Sequence, residues 1–70
     1  MKRFLQYSLA YERPIRAVFL LEGDLQQKTI TVLAIAAETV TLRVGRKKPM
    51  TLPLQDILSC DYTRGDHGDS

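Results

Sequence analysis

Between Ile15 and Tyr62 the chain is cut into short β-type runs, and the cuts come too often to leave room for long helices. Gly23, Gly45, Pro49 and Pro53 punctuate the stretch, with polar turn residues around them. Short runs rich in Val, Ile, Thr and Phe and bounded by Gly or Pro read as strands joined by tight turns. Residues 39–44 alternate most cleanly, with Val40, Leu42 and Val44 on one face and Thr39, Thr41 and Arg43 on the other. Residues 15–21 place Ile15, Ala17, Phe19 and Leu21 on one face and Val18 and Leu20 on the other, so this strand is expected to be covered on both sides, with a helix as the second cover. Glu22-Gly23-Asp24 reads as a turn, since Gly23 reaches φ > 0 without steric cost. Residues 28–35 form the next strand, with Ile30 and Val32 against Thr29, Thr31 and Leu33, and residues 36–38 connect it onward. Gly45-Arg46-Lys47-Lys48 is a hairpin turn, and the prolines flanking the short strand 49–53 assign that strand to an edge. Leu54-Gln55-Asp56 is a single helical turn before the last strand, 57–62.

The first residues follow a different period. Phe4, Tyr7 and Tyr11 fall at i, i+3 and i+7, with Leu5 and Leu9 beside them, which predicts a helix over 2–11 with one wide apolar face. Pro14 ends it, because the residue before a proline is pushed out of the α region. Five short strands with close turns favour a small closed barrel, in which closure removes aggregation-prone edges. With 70 residues there is room for one core, in a domain over 1–62; residues 63–70 are Gly- and Asp-rich and read as a flexible tail.

The lone Cys60 excludes an internal disulfide framework and points to a reducing compartment. No apolar signal-peptide region follows the basic start, and no run is long enough to span a bilayer as a helix, so the expected location is the cytoplasm, away from any membrane. The net charge of +2 hides an uneven distribution. Arg43, Arg46, Lys47 and Lys48 fall together around the predicted hairpin, Arg13 and Arg16 lie near the end of the helix, and four aspartates crowd the last stretch. Cations held on a tight turn can reach successive phosphates and release their counterions. The plainer reading of the same residues is a solvated loop that protects an edge. Stacking platforms for unpaired bases would have to come from Phe4, Tyr7, Tyr11, Phe19 or Tyr62, yet at helical spacing Tyr7 and Tyr11 are better suited to dock the helix.

Catalysis is not expected. The single histidine, His67, is in the tail, the acids are scattered over separate turns, and no glycine-rich loop is placed to cradle phosphate. Cys60 is in phase with Leu58 and Tyr62 and reads as a small buried hydrophobe. Cys60, Asp61, Asp66 and His67 have no recognised ligand spacing, so neither a metal nor another cofactor is expected.

The stretch Leu5-Gln6-Tyr7-Ser8-Leu9-Ala10-Tyr11-Glu12-Arg13-Pro14-Ile15-Arg16-Ala17-Val18-Phe19 resembles the opening of WYL domains, where a short helix leads through an Arg-containing turn into a strand ending in an aromatic. Met50-Thr51-Leu52-Pro53-Leu54-Gln55-Asp56-Ile57-Leu58 is similar to that family's ending, and the overall pattern also resembles YolD-like proteins and Sm-like barrels. The Trp-Tyr-Leu triplet of the WYL family would fall at Val40-Thr41-Leu42, where Leu42 alone matches, and the Sm Arg-Gly pair is replaced by Gly45-Arg46. The resemblance implies a five-stranded antiparallel SH3/Sm-like β-barrel behind an N-terminal helix, among bacterial regulatory and nucleic-acid-linked proteins. It transfers no binding residue. The expected function is nucleic-acid binding through Arg43, Arg46, Lys47 and Lys48, with Arg13 and Arg16 extending the patch. The partner is then single-stranded nucleic acid or an acidic protein surface. The alternative is a protein-interaction or homo-oligomerisation module that uses an exposed edge strand.

Overall fold

A computed structural model describes residues 2–65. Helix α1 (Lys2–Tyr11) leads into strands β1 (Ile15–Leu21), β2 (Asp24–Ile35), β3 (Thr39–Val44) and β4 (Met50–Pro53), a one-turn 3-10 helix (Leu54–Asp56) and strand β5 (Ile57–Tyr62). The strands form one antiparallel sheet in the order β4-β3-β2-β1-β5.

The hairpin chemistry explains most of this order. Leu21 pairs with Asp24, so β1 and β2 are joined by Glu22 and Gly23 alone. Both residues have positive φ, 53° and 82°, as a type I′ turn demands and as the twist of the flanking strands favours. At the β3–β4 turn, Gly45 has φ 56° and the Lys47 N–H donates to the Val44 carbonyl at 3.0 Å, a type II′ arrangement with glycine at its first central position. The 3-10 helix is tied to the β2–β3 connection by the Leu54 N–H, which donates to the Glu38 carbonyl at 2.9 Å.

The expected barrel does not close. β4 and β5 occupy opposite edges of the sheet, and no register pairs them. The physical reason lies in β4, which is four residues long and ends at a proline that cannot donate to a ladder. The 3-10 turn then carries the chain away to the far side of β1. The edge position expected for the Pro-flanked strand is observed.

β2 is twelve residues long and serves two neighbours in turn. Residues 24–30 pair with β1, and Ile30 to Ile35 pair with β3 around a register shift between Val32 and Ala34. Beyond Ile15 there is no β1 left to receive the upper half of β2, and α1 takes its place. The Val32 N–H donates to Ser8 Oγ at 2.9 Å, and the Ser8 hydroxyl donates to the Arg13 carbonyl at 2.6 Å. Ser8 is fully buried, so one helical side chain stands in for a missing strand partner.

The core gathers Leu5 from the helix with Ile15, Ala17, Phe19, Ile30, Val32, Val40, Leu42, Leu52 and Ile57 from the sheet. The helix therefore joins the core face, and the expectation that it covers the opposite face of β1 is not met: Val18 and Leu20 are half-exposed there. The helical face is also narrower than its period suggests. Leu5 and Ser8 are buried, Phe4 and Tyr7 half-buried, and Leu9 and Tyr11 exposed. Phe4 meets Tyr62 edge-on at 4.7 Å, Tyr7 meets Tyr62 at 5.3 Å, and Tyr11 leans on Tyr7 at 5.2 Å. The helix ends in a left-handed residue, Glu12 with φ 54°, and the Arg13 N–H returns to the Ser8 carbonyl at 3.2 Å, the long bond of a Schellman cap. Of the tail read over 63–70, residues 66–70 lie outside the described residues.

Candidate nucleic-acid interface

Sheet register places the cations. Ile15, Ile30 and Val44 form one row across β1, β2 and β3. One residue further toward the β3–β4 turn, the Gly45 N–H donates to the Thr29 carbonyl at 3.4 Å, and Thr29 pairs with Arg16. Arg16 thus stands two strands from the root of the basic hairpin, in the same row. Arg43 pairs with Thr31 and shares the outer face with Arg16; strand spacing and rise put their Cα atoms roughly 12 Å apart. Arg46, Lys47 and Lys48 project from the turn itself, and all five side chains are exposed. Arg13 is exposed too, but it lies in the α1–β1 link, before β1 begins and outside its register, whereas Arg43 is only one row past Val44 on β3. The structure therefore groups Arg16, Arg43, Arg46, Lys47 and Lys48 and leaves Arg13 apart.

A further cation joins this end of the sheet. Lys28 is exposed, adjacent in sequence to Thr29, and lines two depressions. One, on the outer face, is bounded by Arg16, Gln27, Lys28 and Thr29. The other is a recess of about 120 Å³ on the inner face, formed by Phe19, Leu21, Gln26, Lys28, Val44, Lys47 and Met50. Lys28 and Gln26 are in the same period-2 phase as the core residues Ile30 and Val32, and that alternation was the signal in the sequence that could have singled them out.

The aromatic side chains are arranged differently from a row of stacking platforms. Phe4, Tyr7, Tyr11 and Tyr62 cluster where the helix meets the β5 edge, away from the β3–β4 turn. The Arg3 guanidinium lies 5.6 Å over the Phe4 ring. Phe19 alone among the aromatics reaches the basic end, as part of the recess wall, with almost none of its surface exposed.

Cys60 pairs with Ala17 at the margin of a depression lined by Arg16, Val18, Gln27, Ser59 and Asp61. It is half-buried, and desolvation pushes its thiol above the ordinary cysteine range, which keeps it protonated and poorly nucleophilic at neutral pH. Among the described residues, no three His, Cys, Asp or Glu side chains come together as a metal cage. Asp66 and His67 lie outside the described residues. No helix among the described residues is long and apolar enough to cross a membrane.

No protein-family model matches the chain, and neither the curated proteins nor the solved structures provide a match.

Proposed function

We propose that this domain is an SH3/Sm-like module that binds nucleic acid through the basic end of its sheet. One observation carries the reading: register and turn geometry bring Arg16, Arg46, Lys47 and Lys48 to one end of the sheet with Lys28 beside them, and Arg43 lies two rows behind Arg16 on the same outer face, all exposed. Arg16, Lys28 and Arg43 sit in paired strands, so their backbones are held in place when phosphates dock, while Arg46, Lys47 and Lys48 ride on the β3–β4 connection, which the Lys47 N–H to Val44 carbonyl bond tightens. The strand order and the 3-10 turn between β4 and β5 suit an open SH3/Sm-like arrangement, and the resemblance to WYL and YolD-like proteins adds a transcription-linked setting. An interface of this kind gains its affinity from counterion release, so binding falls steeply as salt rises.

The test is fluorescence anisotropy with a short labelled single strand at two salt concentrations, comparing the wild type with Arg46→Gln/Lys47→Gln/Lys48→Gln. The expected result is weaker binding by the variant and a smaller salt slope, by about 0.7 per lost phosphate contact on a single strand. Unchanged affinity and slope would remove the hairpin from the interface.

A second reading has its own observation. β4 is blunted by Pro49 and Pro53, whereas the other edge, β5, contains no proline or lysine and exposes Leu58. An edge without these protections can accept another strand, from a second copy or from a partner peptide. Sedimentation of the protein at high concentration separates the readings: a strict monomer argues against edge pairing between copies.

A further inference from the structure

The inner face of β2 changes character halfway along. Val32 and Ile30 point into the core, and the next two positions of the same phase are Lys28 and Gln26. A charged residue at a core-phase position often protects an exposed edge from pairing, and at Gln26 and Lys28 β2 pairs with β1 alone, so Lys28 also guards that open side. The apolar lining continues around them nonetheless. Phe19 and Leu21 from β1, Val44 from β3 and Met50 from β4 form the floor, while Gln26, Lys28 and Lys47 complete the rim.

This recess has three kinds of surface in one place. The floor offers apolar contact to a flat face. Gln26 offers an amide that both donates and accepts hydrogen bonds. Lys28 and Lys47 offer two ammonium groups. A nucleotide has the matching three parts: a π-face, a polar base edge and a phosphate. The volume of about 120 Å³ equals the liquid share of about four waters, the scale of a single heterocycle. A base stacked inside a duplex cannot enter.

We propose that this recess receives one unpaired base of a single-stranded nucleic acid, with Gln26 on the base edge and Lys28 and Lys47 on the adjoining phosphates. The assignment rests on the nucleic-acid reading above and narrows it to single strands.

Anisotropy with the full chain tests it, using three labelled probes: a 12-nucleotide oligothymidylate, an abasic strand with the same phosphates, and a duplex of the same length. Each is titrated into the wild type, Gln26→Ala and Arg46→Gln/Lys48→Gln. The expected result is a preference of about fivefold or more for the oligothymidylate over the abasic strand, as stacking of one base provides. Gln26→Ala should reduce that preference, lowering affinity for the oligothymidylate more than for the abasic strand. Equal affinity for the two strands, with both weakened by Arg46→Gln/Lys48→Gln, would overturn the recess and leave the basic interface standing. A base preference that survives while Arg46→Gln/Lys48→Gln changes nothing would remove the hairpin and leave the recess. Tighter binding of the duplex than of either strand would overturn the proposal, as would recess shifts in NMR spectra with an acidic, leucine-containing peptide and none with DNA.

Discussion

Replacing Ser8 by alanine tests how the helix is attached to the sheet. Ser8 Oγ accepts from the Val32 N–H at 2.9 Å in a buried setting, and its hydroxyl donates to the partly buried Arg13 carbonyl at 2.6 Å. In Ser8→Ala the Val32 N–H loses its partner where water cannot replace it, a cost of about 1–3 kcal/mol. The Arg13 carbonyl also loses a bond but can recover part of it from solvent, for a further ~0.5 kcal/mol. Alanine returns roughly 0.5 kcal/mol through its better helix propensity. The net loss is about 1–3 kcal/mol, and in a domain of this size each kcal/mol lowers Tm by ~4–8 °C. Urea unfolding followed by circular dichroism measures the loss, and hydrogen exchange at the Val32 amide locates it. Gln6→Ala, an exposed position on the same helix, is the control and should stay within about 0.5 kcal/mol of wild type. The reasoning fails if Ser8→Ala matches that control, or if stability falls while Val32 protection is unchanged.

Four other substitutions have definite outcomes. Glu12→Gly relieves a left-handed residue at the helix cap and should stabilise the protein by up to about 1 kcal/mol, the strain removed exceeding the entropy glycine adds to the unfolded chain; Glu22→Asn, which creates the favoured Asn-Gly turn, should act in the same direction, and thermal melts read both. Leu5→Ala removes the helix's one fully buried apolar anchor and should cost about 2–4 kcal/mol by urea unfolding, and the Phe4–Tyr62 ring cross-peaks should weaken in NMR spectra as the helix loosens. Cys60 should react slowly with a thiol reagent at neutral pH, its rate climbing only at alkaline pH. Because burial raises its pKa, the unfolded chain loses the proton first, so the Cys60 contribution is intact below ~8.5 and declines as pH rises from there through the folded value. Cys60→Ser should flatten that part of the stability profile.

The elements that could be read from the sequence are those whose local chemistry already decides them. The helix bounds, the alternation of residues 39–44 and the two glycine turns are each set within a few residues, and each matches its element in the structure. The start of β2 was less legible, because Leu25, Gln26 and Gln27 have no β-branched residue among them and owe their strand geometry to the Glu22-Gly23 turn and to pairing with β1. Ser8 carries no signal of its own in the sequence, since its role depends on β1 ending at the Ile30 row, two residues short of Val32. Closure depended on whether four residues of β4 could reach β5, which is a matter of tertiary distance. At the basic end, the hairpin cations were visible as a run, but their proximity to Arg16 follows from register, and Lys28 shows its significance only when its phase is set against Ile30 and Val32.

An amide-resolved NMR titration with a short mixed-sequence single-stranded DNA, at low and moderate salt, tests the basic interface most directly. The expected shifts are salt-sensitive and concentrate on Arg16, Gln26, Lys28, Arg43 and the turn from Gly45 to Lys48, with Arg13 and the Phe4–Tyr62 cluster unmoved. Silence at both salts, or shifts confined to the β5 edge, would contradict a nucleic-acid role for this end of the sheet.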